Sequence, residues 1–181
     1  MCCLMAKKSV SKDTIISALK PSDLKHPGLL WTSAFGIGFL PKAPGTWGSV
    51  AALFVWWLLI GDLGPTVQAL IIAVYFAVSV YACHRVCHDF AVKDAGEMVA
   101  DEVVGMWIAL FALPNTLWIL VLGFVLFRLL DIKKPLLIGY IDQKVAGGLG
   151  VMLDDVIAGI FTCLVLWSLV FAFHELGISL F

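Results

Sequence analysis

The chain has 181 residues, 61% of them hydrophobic and 14% charged, with a formal net charge of −1. A composition this apolar excludes an ordinary soluble domain, and the length is that of one domain rather than several. The near-neutral balance points to no partner and gives no sign of nucleic-acid binding; the information lies in where the charges sit.

The first 28 residues are polar and lack the apolar run of a signal peptide. Residues 1–28 therefore read as a polar cytoplasmic segment and 29–181 as a single membrane-embedded domain. Five cysteines, an odd number at irregular spacing, do not form a disulfide framework, and free thiols are expected. Residues 29–40 are apolar but short for a span. The loop Leu40-Pro41-Lys42-Ala43-Pro44-Gly45-Thr46-Trp47-Gly48-Ser49 follows, its prolines and glycines fixing an irregular backbone. Apolar runs then cover 48–61 and 66–83, joined by a turn at Gly61 to Pro65. Residues 84–102 are polar. Residues 103–127 are apolar but broken at Leu113-Pro114-Asn115, where proline removes a helix donor and asparagine favours a turn. A polar, Gly-rich stretch fills 128–150, and a last apolar run covers 156–173. The expected fold is all-α: a polytopic membrane bundle of about four to five short spans, each near or below the roughly 20 residues a crossing needs.

Charge orients the bundle. With Pro114 as a hairpin turn and the N-terminus inside, all 12 Lys and Arg residues fall in inside segments, Lys93 and Lys144 among them. One limb of the hairpin has the option of being re-entrant. A single crossing at 103–127 would instead move Arg128 to Lys144 outside, against the positive-inside rule.

The inside segments also hold the candidate site. Lys42 supplies positive charge and Thr46 and Ser49 supply hydroxyls next to a helix start, a place suited to anions; the ordinary alternative is a tight turn with Trp47 at the interface. Asp101 and Glu102 open one apolar helix, and Asp154 and Asp155 open another. Asp101 and Gly105 share a helix face, as do Asp155 and Gly159, and each glycine allows close approach. The ordinary reading makes each acid pair a helix-start signal. It accounts for one acid per helix better than for two adjacent acids, twice. Bunched carboxylates repel, and a hard divalent cation such as Mg²⁺ relieves that repulsion. Arg128 and Asp131, three apart at a helix end, read either as a local ion pair or as a phosphate grip beside a metal ligand. Cys83, His84, Cys87 and His88 have some look of a metal cluster, but read better as an interfacial helix end. His174 and Glu175 lie far from every motif.

Four motifs in order, LPKAPGTWGS, DEVVG, FRLLDIKKP and GGLGVMLDDVIAG, resemble those of the bacterial phosphatidylglycerophosphatase A family, from about Phe35 to Ile160. The resemblance implies a multi-pass phosphatase of the bacterial inner membrane, with its site facing the cytoplasm. It implies Mg²⁺-dependent hydrolysis of phosphatidylglycerophosphate to phosphatidylglycerol and phosphate, in phospholipid biosynthesis. Matched residue by residue, the motif acids are Asp101, Glu102, Asp131, Asp154 and Asp155, expected to hold metal and carry the chemistry. The motif bases Lys42, Arg128 and Lys134 are expected to hold phosphate. The partner is then the phospholipid itself; the oligomeric state is open. The competing class is a small ion-coupled transporter or channel with an acidic cation site, which would hold its acids near the membrane midplane.

Overall fold

The structure is a computed structural model that describes residues 19–92, 95–133 and 148–177. Most of the N-terminal segment, Lys93, Lys134 and Lys144, and the stretch from Pro135 to Ala146 lie outside the described residues. The helices are α1 (Pro27–Thr32), α2 (Pro44–Val55, continued by a π-helical turn Trp56–Ile60), α3 (Pro65–Asp89), α4 (Ala100–Ala109), α5 (Leu117–Lys133) and α6 (Gly148–Glu175). Two 3₁₀ turns, Pro21–Lys25 and Ile37–Phe39, flank α1. Helices α1, α2 and α3 each open on a proline, where the missing N–H costs nothing. No strand occurs among the described residues.

The break at Pro114 falls where the sequence places it: α4 stops at Ala109 and α5 starts at Leu117. Two other boundaries differ. Helix α3 continues through the polar residues 84–89, where Arg85 pairs with Asp89 one turn on at 3.3 Å. Helix α6 begins at Gly148, inside the stretch expected to be loop, so packing overrides the poor helix propensity of its glycines. Asp154 and Asp155 are therefore interior to α6 and both buried, and a helix-start role does not describe them. Asp101 and Glu102 do sit in the first turn of α4.

Among the described residues, only α3 and α6 are long and apolar enough to cross a membrane, and just 22% of each apolar window is buried within the protein. Their side chains face outward: Val67, Leu70 and Val74 on α3, Phe161, Leu164 and Val165 on α6. An apolar exterior of this kind suits lipid rather than water. At about 1.5 Å per residue, the ten residues of α4 extend only about 15 Å, half a hydrocarbon core. Helix α4 is a buried half-helix, packed among α2, α3, α5 and α6.

Helices α4 and α6 meet backbone to backbone. A Cβ on Gly159 would lie 2.4 Å from the Gly105 carbonyl oxygen, and one on Gly105 would lie 2.7 Å from the Asp155 carbonyl oxygen. This is the close approach predicted from the two acid–glycine spacings. At its other end, α4 runs into irregular backbone that has to find partners inside the protein. Gln68, 2% exposed, provides several. Its amide donates to the carbonyls of Gly61 (3.1 Å) and Leu63 (3.0 Å), and its oxygen accepts from the N–H of Ala112 (2.9 Å). Ala112 is in the left-handed region, with φ 54°. Trp167 of α6 donates to the Phe111 carbonyl at 3.3 Å, and Trp107 ties α4 to the Ala52 carbonyl of α2 at 3.0 Å.

Replacing Gln68 by leucine keeps the bulk but strands Ala112 N–H and the turn carbonyls. The expected cost is about 1–3 kcal/mol, seen as a lower melting temperature in detergent with the acidic site still competent in the folded fraction. An unchanged melting temperature would show that the clamp is dispensable.

Candidate active site

Asp101 and Glu102 project from the first turn of α4, and the Asp101 carboxylate accepts the Glu102 backbone N–H at 3.1 Å. The Gly105–Gly159 crossing brings Asp155 of α6 alongside. One ligand oxygen from each of Asp101, Glu102 and Asp155 lies within 4.8 Å of the others. Asp155 is 3% exposed, and the Glu102 Oε2 is buried with no hydrogen-bond partner among the described residues. The Glu102 Oε1 rests against Gly45 at the start of α2: a Cβ there would meet it at 2.0 Å and would lie 3.4 Å from Arg128 Nη1. Gly45 is thus a shared wall for an acid of α4 and a base of α5.

Arg128 closes the cluster from α5. Its Nη1 donates to Asp131 on the next turn, and its Nη2 donates to Thr46 Oγ1 at 3.4 Å. The Asp131 carboxyl lies near Asp155 of α6. Asp154, 7% exposed, faces the same group of acids without supplying an oxygen to the tight trio. Four elements of distant sequence therefore converge, with Arg128 the counter-charge the acids share. Glu102 lies on the half-helix, outside the two long apolar helices. Burial holds its carboxyl well above the ordinary range; Asp155 and Asp131 push it further, against the Asp101 hydrogen bond and the Arg128 charge.

The donor set fits a hard divalent cation. All three converging ligands are carboxylate oxygens, one of them buried and unpartnered, and their mutual repulsion exceeds what one guanidinium offsets. Asp101, Glu102 and Asp155 can hold such an ion, with Asp131 and Asp154 at its edge.

The remaining sequence candidates are placed as follows. Thr46 accepts from Arg128 and so orients it. Ser49 is buried, its hydroxyl donating to the Gly45 carbonyl at 2.9 Å, which commits it to α2. Lys42 is exposed just before α2. Lys42 and Ala43 both have left-handed φ, 62° and 55°. Consecutive non-glycine residues there cost about 1–2 kcal/mol each, strain that marks functional loops. Lys134 lies outside the described residues. The Cys83–His88 group carries no converging metal ligands among the described residues. Instead Asp89 gathers His26 (3.1 Å), His88 (3.0 Å) and Arg85. The wall formed by Gly45 escaped the sequence reading; a glycine directly after the Pro44 helix start was its only local sign.

The family model for phosphatidylglycerophosphatase A matches residues 30–170, which contain every site residue just described. The chain is 41% identical over 157 residues to phosphatidylglycerophosphatase A of Escherichia coli K12, covering 86% of this chain and 89% of that one. It is 39% identical over 152 residues to phosphatidylglycerophosphatase A of Haemophilus influenzae, covering 83% and 93%. A Bacteroides thetaiotaomicron protein with the provisional name phosphatidylinositol-3-phosphatase is 38% identical over 152 residues, covering 79% and 91%. No solved structure matches the chain significantly. Matched across most of its length and through all the elements that build the acidic cluster, the chain belongs to the phosphatidylglycerophosphatase A family.

Proposed function

We propose that this protein is a lipid phosphatase that hydrolyses phosphatidylglycerophosphate to phosphatidylglycerol and inorganic phosphate, in phospholipid biosynthesis in the bacterial inner membrane. The single observation that carries the reading is the convergence of Asp101, Glu102 and Asp155 beside Arg128. The names of the two phosphatidylglycerophosphatase relatives support the substrate, and the family match lends nothing to a transporter. The positive-inside distribution supports a multi-pass arrangement with this site toward the cytoplasm. The phospholipid in the bilayer is the partner.

Asp101, Glu102 and Asp155 would hold Mg²⁺, with Asp131 and Asp154 supporting. Bound there, Mg²⁺ supplies charge neutralisation and polarisation of phosphate oxygens. Arg128, pinned by Thr46 and Asp131, presents a preorganised guanidinium to the phosphate, and Lys42 just before α2 and the motif residue Lys134 would add positive charge. One of the carboxylates would take the proton of the attacking water, or attack phosphorus itself to form an aspartyl phosphate that water then hydrolyses; the phosphorus–oxygen bond to glycerol breaks and that oxygen takes up a proton to leave as the hydroxyl of phosphatidylglycerol. Burial and the neighbouring acids raise the Glu102 carboxyl, a cost that a bound cation would relieve.

The direct test is phosphate release by the purified chain in detergent. Phosphatidylglycerophosphate should be turned over with Mg²⁺ and not after chelation, and phosphatidylinositol 3-phosphate should be turned over poorly. Asp101→Asn and Asp155→Asn should each lower the rate by about two orders of magnitude or more, with melting temperatures near wild type. Near-normal turnover in either variant at saturating Mg²⁺ would remove that acid from the site.

Arg128 and Asp131 should separate kinetically. Lysine cannot reproduce a planar fork, so Arg128→Lys should raise KM and leave the Mg²⁺ requirement similar. Asp131→Asn should lower kcat or demand more Mg²⁺. If the pair only staples a helix end, both variants instead lose thermal stability together and keep the activity of the folded fraction.

Gly45→Ala gives a sharper probe. The atom its methyl group meets is the far end of a flexible side chain, so the fold survives while the Glu102 carboxylate is displaced. The melting temperature should hardly change, and the rate at limiting Mg²⁺ should fall by about tenfold, equivalent to about 1.4 kcal/mol. Equal rates across a Mg²⁺ titration would show that the position of Glu102 does not matter.

A further inference from the structure

Among the described residues, an apolar groove of about 400 Å³ lies between α3 and α6. Ile108 of α4 and Phe111 just beyond its end line its base. One side is formed by α3, where Ala69 and Ala73, one turn apart and both exposed, leave the wall open. The other side is formed by Val156, Ile160 and Leu164 of α6. Its mouth lies on the exposed apolar faces of α3 and α6, which suit lipid.

The two helices that carry the acids also line the groove, a short distance further along each. Asp101 and Ile108 are seven residues apart on α4, two turns along one face. Val156 directly follows Asp155 on α6. From Val156 to Leu164 the groove extends about 12 Å along α6. It therefore begins one residue past Asp155 on α6, runs away from the acids beside the half-helix, and opens sideways on the apolar exterior. A volume of this size is within the range of small-ligand sites. An occupant that fits this lining is apolar and elongated.

We propose that this groove seats an acyl chain of the lipid substrate during turnover. This rests on the lipid-phosphatase reading above. The half-helix thus binds both parts of one molecule, the phosphate end at its first turn and the chain along its flank. The groove makes long-chain substrates better substrates, because each methylene it buries adds binding energy.

The test compares dioleoyl- and dihexanoyl-phosphatidylglycerophosphate with the full chain in detergent, for wild type, Ala73→Phe, Ala69→Phe and Val74→Phe. The first two substitutions fill the groove; Val74, 63% exposed on the same helix, does not line it. Either groove variant should lose about tenfold in kcat/KM on the dioleoyl substrate, mainly through KM, and change less than about twofold on the dihexanoyl substrate. Val74→Phe should match wild type on both. Equal loss on the two substrates, or no loss on either, overturns the proposal. As a readout independent of turnover, phosphatidylglycerol carrying a diazirine at mid-chain should label α3, α4 or α6 peptides of the groove. Dioleoyl-phosphatidylglycerophosphate should reduce that labelling and phosphatidylcholine should not. Equal competition by both lipids would make the groove an ordinary seat for bilayer lipid and also overturn the proposal. Wild-type protein that releases phosphate from neither substrate would instead overturn the lipid-phosphatase reading.

Discussion

The contact between Gly105 and Gly159 governs the rest of the structure. With no side chain on either, α4 and α6 approach until carbonyl oxygen of one nearly touches Cα of the other. Any larger residue would push the axes apart, and Asp155 would no longer face Asp101 and Glu102. The two glycines follow their acids by four residues, so the same helix turn that permits contact also aims the carboxylates at one point. In an apolar surrounding, where helices gain little from hydrophobic burial against each other, such close backbone packing is a main source of association energy.

The half-helix has a polar problem at each end and solves them differently. At its start, exposed N–H groups and the positive end of the dipole favour Asp101 and Glu102. That favour is small, about 0.3–1 kcal/mol per group. It falls well short of offsetting five converging carboxylates, two of them buried, a set that could hold a cation. At its other end the carbonyls and Ala112 N–H have no helix to join, and Gln68 and Trp167 reach them from α3 and α6. The acids and the glutamine clamp are two consequences of stopping a helix halfway.

Which of these features the sequence revealed follows from the range of each signal. The Pro114 break, the two acid pairs and their glycines are local patterns, read within a few residues, and each recurs in the structure. The start of α6 was hidden because a Gly-rich stretch reads as loop until packing partners are known, and Asp154 and Asp155 were misjudged as helix-start acids for that reason. Gln68 has no signature at all: a lone glutamine in an apolar run is meaningless without the turn it clamps. The Arg128–Thr46 bond joins residues 82 apart, and the Gly45 wall depends on the side chain of Glu102. The sequence fixes what each element carries; pair geometry between elements comes only from the fold.

An amphipathic substrate sets an unusual constraint on a site. Its reacting phosphate needs charge and metal, whereas most of its mass is hydrocarbon that gains nothing from leaving the bilayer. A pocket enclosing the whole molecule would have to extract those chains. A half-helix avoids this: its first turn presents carboxylates beside Arg128, while Ile108 near its end and Phe111 just beyond it line a groove that opens toward lipid. On the proposed reading, the chemistry and the anchoring then share one rigid element, so a chain seated along α4 brings its phosphate to the acids with little freedom left to lose. The small side chains of Ala69 and Ala73 matter as much to this arrangement as the acids do, because they keep the sideways route open.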